Sequence, residues 1–172
     1  MDDKRFWDVI AVGCPHDREP DEWNSSLVAV LKLLDPDDIV RFDHWLEGKA
    51  SAAYSNELWS VASLINGGAS DDGFAYFRLW LVGMGKKVYE AALANPDTLA
   101  DIVDPQNDDE AEIYGVALHA WEALGLSEEG FYGAHSAETN SHKGPLEVEG
   151  EWVRREDFLH RFPRLAALYR ST

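Results

Sequence analysis

One cysteine, Cys14, stands among 172 residues. An internal disulfide is therefore excluded, and so are zinc sites built on several thiolates. No apolar run approaches the ~20 residues that a helix needs to cross a bilayer. The opening MDDKRFWDVI lacks the apolar segment and small-residue cleavage site of a secretory signal. The expected setting is the cytoplasm. Cations are also scarce: 15 Lys and Arg face 32 Asp and Glu, for a formal net charge of −17. That balance argues against nucleic acid as a partner, because sequence-independent binding to phosphates needs Lys and Arg. It argues equally against docking on anionic membranes.

The shortage of cations is uneven. Residues 88 to 142 contain no Lys or Arg but carry twelve acids, whereas residues 151 to 172 hold five arginines and three acids. Many of these acids fall where helix N-termini favour negative charge. The unneutralised block still repels itself, and two things relieve that: a basic protein partner, or the arginine-bearing C-terminal helix docking on the acidic body. Asp101, Asp104, Asp108, Asp109, Glu110 and Glu112 form the candidate partner surface.

What the chain has in quantity is apolar and aromatic residues, 45% and 12%, including seven tryptophans. That is enough for a firm core, and the length fits one domain over residues 1 to 172. Helical periodicity dominates. Phe6, Trp7 and Ile10 form one face. Trp23, Leu27, Val30, Leu31 and Leu34 form another. Asp35 and Pro36 read as an N-cap and first helical residue, with Ile39, Phe42 and Trp45 or Leu46 turned inward. Leu58, Trp59, Ala62 and Ile65 lead to a glycine C-cap at Gly67-Gly68. Asn95-Pro96 marks a break, and Ile113, Val116 or Ala117, Ala120, Trp121 and Leu124 make a further stripe. Residues 127 to 145 have no pattern and read as a loop. LEVEGEWVRR alternates around a glycine, which fits a short β-hairpin near 145–155, and REDFLHRFPRLAALYR closes the chain as a helix kinked at Pro163. The expected fold is a mainly α, compact multi-helix single domain.

Motifs for chemistry are few. The six histidines match neither HExxH nor a Cys/His cluster. His135 and His142 share a polar stretch with Glu138, close after His119, without a ligand spacing that assigns a metal. DPQNDDEAE lacks the glycine and alternating ligands of an EF-hand. There is no G-x-S-x-G elbow, and GGASDDG fits neither of the glycine-rich phosphate-binding patterns. Cys14 and His16 are too close in sequence to read as a nucleophile and base assembled by a fold. No catalytic residue and no cofactor is assigned.

The helix beginning SDDGFAYFRLWLVGMG is different. Ser70 caps it, Asp71 and Asp72 meet its positive end, and it is apolar almost all round, as helices in a domain centre are. Arg78 therefore needs a partner, since an unpaired buried charge is costly. Glu57, Asp71 and an acid of the 88–142 block are the available groups. Asp71, Asp72, Arg78 and Glu57 are accordingly the candidate polar cluster, read either as a buried ion pair fixing helix register or as the edge of a small ligand pocket.

The stretch also resembles a bacterial family of domains of unknown function, number 4240. The resemblance rests on Trp59, Gly68, Ser70, Asp71, Asp72, Gly73, Phe74, Phe77, Arg78, Trp80, Leu81, Gly85, Tyr89, Asn95, Pro96 and Asp97, with Phe6-Trp7 and Phe162 to Leu165 at the ends. It implies a compact, mainly helical domain and brings no activity with it. The leading expectation for function is an acidic, non-enzymatic protein-binding domain, of the kind that inhibits or gives immunity to a basic bacterial protein. The alternative is a small-molecule binder or enzyme at the Asp71, Asp72 and Arg78 cluster.

Overall fold

A computed structural model describes residues 1–15, 19–105, 110–137, 148 and 150–169. Its ten α-helices are α1 (Asp3–Gly13), α2 (Trp23–Leu31), α3 (Pro36–Ala52), α4 (Asn56–Ile65), α5 (Asp71–Gly83), α6 (Lys86–Ala94), α7 (Val116–Ala123), α8 (Glu128–Ala137), α9 (Phe158–Arg161) and α10 (Pro163–Leu168). The fold is mainly α, and no strand forms among the described residues. None of these helices is long and apolar enough to cross a membrane.

Local chemistry sets the helix ends. Asp2 accepts from the Arg5 amide at 2.8 Å to start α1, and Ser70 accepts from the Gly73 amide at 3.1 Å to start α5. Asp35 and Pro36 hold the expected first positions of α3, although the Asp35 side chain makes no capping bond. Helix α4 closes at Asn66 and the chain turns through Gly67 at φ +68°, where a residue without Cβ is favoured.

Helix α5 is the centre. Phe74, Phe77, Leu79, Trp80, Leu81, Val82 and Gly83 are buried on it. It packs against α1, α3, α4 and α6, while α3 also meets α7 and α8. Phe6, Trp23, Phe42, Phe74, Phe77 and Phe162 all belong to the same continuous core. Cys14 is part of it too, and burial pushes its thiol up to about 12, which makes it an inert apolar filler at neutral pH.

Two sequence readings are corrected. Residues 128–137 are helical rather than loop. Ser127 accepts from the Gly130 amide at 3.2 Å, Glu128 and Glu129 face the positive end of the helix, and Phe131 packs edge-on against Trp121. Phe131 is the only residue of α8 that is buried, so the helix has no apolar stripe to read. The expected hairpin is absent where it can be seen, residues 145–147 and 149 lying outside the described residues. Residues 150–153 lie instead along α4. Asn56 donates to the Gly150 carbonyl at 2.7 Å, the Val153 amide donates to Ser60 Oγ at 3.1 Å, and Trp152 meets Trp59 edge-on. Side chains of α4 thus take the backbone bonds that a strand partner would have made. A smaller difference concerns Leu124, which lies just past the end of α7 and is exposed.

Candidate functional site

Arg78 finds neither Glu57 nor Asp71. Its Nη1 donates to the Ala50 carbonyl at 2.9 Å and its Nε to the Phe74 carbonyl at 3.4 Å. The guanidinium lies over Tyr54 at 4.7 Å and Phe74 at 5.0 Å from the ring centroids. Burial holds its pKa below the ordinary arginine value. Ala50 belongs to the last turn of α3, where the backbone ladder runs out of donors, while the Ala53 and Tyr54 amides still serve the Lys49 and Ser51 carbonyls. Tyr89 adds a second bond one residue earlier, donating its hydroxyl at 2.8 Å to the Lys49 carbonyl that also accepts from the Ala53 amide. Arg78 and Tyr89 together therefore close the C-terminus of α3.

The other residues of the expected cluster are placed apart from Arg78's contacts. Glu57 accepts from Arg161 Nε at 2.8 Å, and Asp71 and Asp72 are exposed in the first turn of α5. Two of the five C-terminal arginines dock on the acidic body, Arg164 on Asp101 and Arg161 on Glu57, while Arg154 pairs with its neighbours Glu156 and Asp157. Of the remaining acids singled out, Asp104 is exposed, Glu110 accepts from Asn66 Nδ2 at 3.3 Å, and Glu112 gives its backbone carbonyl to Asn24. Asp108 and Asp109 lie outside the described residues. Among the described residues these acids do not gather into one built site.

A different group of residues does converge. Between α3, α7 and α8 lies a cavity of about 380 Å³. Leu46, Ala50, Leu79, Leu118 and Phe131 form its apolar wall, Tyr114 and Tyr132 contribute phenols, and Asp43 and Glu47 supply carboxylates. Gly115, at φ +70°, turns the chain into α7 at its rim. The spacing of α3 explains the acidic side: Asp43 and Glu47 are four residues apart, and His44 and Glu47 three, so they share neighbouring faces of one helix. His135, in the last turn of α8, comes across to meet them. Its Nε2 lies 3.3 Å from Asp43 Oδ2 and 3.8 Å from Glu47 Oε2, and its ring centroid is 3.9 Å from that of His44. His44 is 3% exposed. Burial and the Glu47 charge push the Asp43 carboxyl up to about 6, with His135 pulling the other way.

This grouping was missed because its parts are far apart in sequence and α8 read as a loop. The signal available was D-H-x-x-E in α3, which sets one imidazole and two carboxylates within one turn. No curated protein and no solved structure matches the chain. A family model does match, over residues 1–124, and by that match the chain belongs to DUF4240, a family of proteins of unknown function.

Proposed function

We propose that the protein binds a small polar molecule in the α3–α7–α8 cavity. One observation carries this reading: the cavity combines an apolar wall with the convergent carboxylates of Asp43 and Glu47, which His135 meets from α8. Small-molecule sites have that composition, and typical volumes of about 300–1,000 Å³. The apolar body of the ligand would lie against Leu79, Leu118 and Phe131, with its polar end at Asp43 and Glu47. Leu118 is half-buried and borders the space, so Leu118→Trp fills the cavity from one side. A ligand at a hundred times its Kd stabilises the native state by about 2.7 kcal/mol. On a chain of this size that is a rise in Tm of roughly 5–10 °C. Screening a metabolite panel by thermal shift should find compounds that raise the wild-type Tm and leave Leu118→Trp unmoved. A panel that moves both proteins alike, or neither, ends the reading.

A second reading, favoured by the net charge of −17, is an acidic protein-binding domain acting in the cytoplasm on a basic partner. Glu122, Glu128 and Glu129 are exposed and make no ion pair among the described residues, while Arg161 and Arg164 are already engaged on Glu57 and Asp101. Association of that kind is fast and weakens steeply with salt. A pull-down from the native host at low and high ionic strength checks it, with one basic protein retained at low salt and released at high salt. Recovery of no basic protein at low salt sinks it.

A further inference from the structure

The geometry points to a site for one divalent transition-metal ion held by His44, Glu47 and His135 at the edge of the cavity. This inference deepens the small-molecule reading, on which it rests only for what would bind above the metal.

The three side chains offer two imidazole nitrogens and a carboxylate oxygen, all within 4.8 Å of one another. Metal–ligand bonds of about 2.0–2.2 Å place the donors of a tetrahedral site roughly 3–4 Å apart, so the observed grouping needs only small side-chain adjustments. The three come from two helices whose backbones are fixed by the core, α3 through buried Phe42 and Leu46 and α8 through buried Phe131. Asp43 adds a fourth donor, a second carboxylate oxygen, beside His135. Two carboxylates balance the charge of a divalent ion, and neutral imidazoles are ordinary ligands for zinc and its neighbours but not for magnesium or calcium.

An imidazolium–carboxylate ion pair accounts for His135, Asp43 and Glu47. The second imidazole, His44, stands beside them with its ring centre 3.9 Å from that of His135. Two rings so placed repel each other when both are protonated, whereas a shared cation uses both as donors. Glu47 and Asp43 also line the cavity, so the ion would sit at its wall with a coordination position facing inward. The small molecule that fits such a position carries an oxygen or nitrogen donor, a carboxylate or hydroxyl being the simplest.

The test uses the full chain without a histidine tag, stripped with a chelator and then titrated with Zn²⁺ by calorimetry and with Co²⁺ by visible absorption. Wild type should take up one equivalent and develop the d–d bands of low-coordinate cobalt. His135→Ala and Glu47→Gln should each weaken binding by at least ~10-fold, the loss seen even when outer-shell partners of metal ligands are removed, and should lose the bands. His160→Ala, at an exposed position of α9, should change nothing. Glu47 is exposed, so Glu47→Gln keeps the fold even if His135→Ala disturbs α8. No stoichiometric uptake by wild type overturns the inference, as does uptake indifferent to both substitutions. The two readings fail separately. Ligand-induced thermal shifts without metal uptake leave the cavity and remove the metal, and metal uptake without any ligand shift does the reverse.

Discussion

Asp97→Ala should release the C-terminal helices and lower stability by about 3–5 kcal/mol, because each of two backbone amides would lose a charged acceptor worth about 1.5–3 kcal/mol. Asp97 is 6% exposed and reaches across 67 residues of sequence. Its carboxylate accepts from the Arg164 amide at 3.1 and 3.2 Å and from the Leu165 amide at 3.0 Å. These are free amides in the first turn of α10, which Pro163 opens and which has no side-chain cap of its own. Asp97 is itself positioned locally, its amide bonded to Asn95 Oδ1 at 3.2 Å in the short 3₁₀ segment Pro96–Asp101. Behind this clamp Phe158, Phe162, Leu165 and Ala166 are buried. The expected result is a Tm lower by roughly 10 °C, with amide exchange rising first over residues 158–168. Asp101→Asn is the control. It breaks only the exposed pair with Arg164, a solvent-screened contact that contributes little to stability. If Asp97→Ala cost no more than Asp101→Asn, the clamp would be incidental.

Asp97 also shows what the sequence could and could not reveal. Asn95-Pro96-Asp97 was readable as a break and a helical restart, since all three residues have local preferences that say so. That the third would cap a helix 67 positions away was not, because the information lies in how two segments meet. Arg78 repeats the lesson. Its stripe on α5 and its need for a partner follow from periodicity and electrostatics. The partners proved to be two backbone carbonyls and two aromatic rings, which no charge count registers. Residues carrying the family resemblance thus have structural duties: Ser70 caps α5, Arg78 and Tyr89 close α3, Asp97 caps α10, and Trp59 Nε1 donates to the Ala69 carbonyl at 3.0 Å.

The cavity was less legible for two reasons. The polar groups at its edge come from α3 and from a helix whose only buried residue is Phe131. A helix anchored at one point leaves no 3.6-residue pattern, so its His135 could not be placed on any face. The second reason is that α3 was read for its apolar positions. Its polar positions, Asp43, His44 and Glu47, are interleaved with Phe42 and Leu46, and His44 is as buried as they are. A buried histidine within one turn of two carboxylates is a stronger pointer to chemistry than an exposed acidic run, because each buried polar group must be matched.

Gly83→Ala should destabilise the protein by about 1–3 kcal/mol or more, the cost of overpacking a filled core, although alanine in place of glycine normally stabilises a helix interior by about 1 kcal/mol. The reversal of sign is the content of the prediction. A Cβ on Gly83 would stand 2.6 Å from Trp23 Cε3 and closer still to Cζ3. Trp23 has little freedom to retreat, being 1% exposed with its Nε1 bonded to the Pro15 carbonyl at 3.2 Å. The clash is with the benzo ring of the two-ring indole, and the single ring of phenylalanine fills less of that space. In a Trp23→Phe background the same Gly83→Ala change should become neutral or stabilising, so a double-mutant cycle in denaturant should return a coupling of about 1–3 kcal/mol. A destabilisation equal in both backgrounds would place its origin elsewhere in α5. Leu79, one turn before Gly83, forms part of the cavity wall. A shift of α5 away from Trp23 would therefore move that wall as well, and Gly83→Ala should weaken any ligand held there while Trp23→Phe with Gly83→Ala restores it. Stability and ligand affinity recovering together would tie the packing of the central helix to the shape of the candidate site.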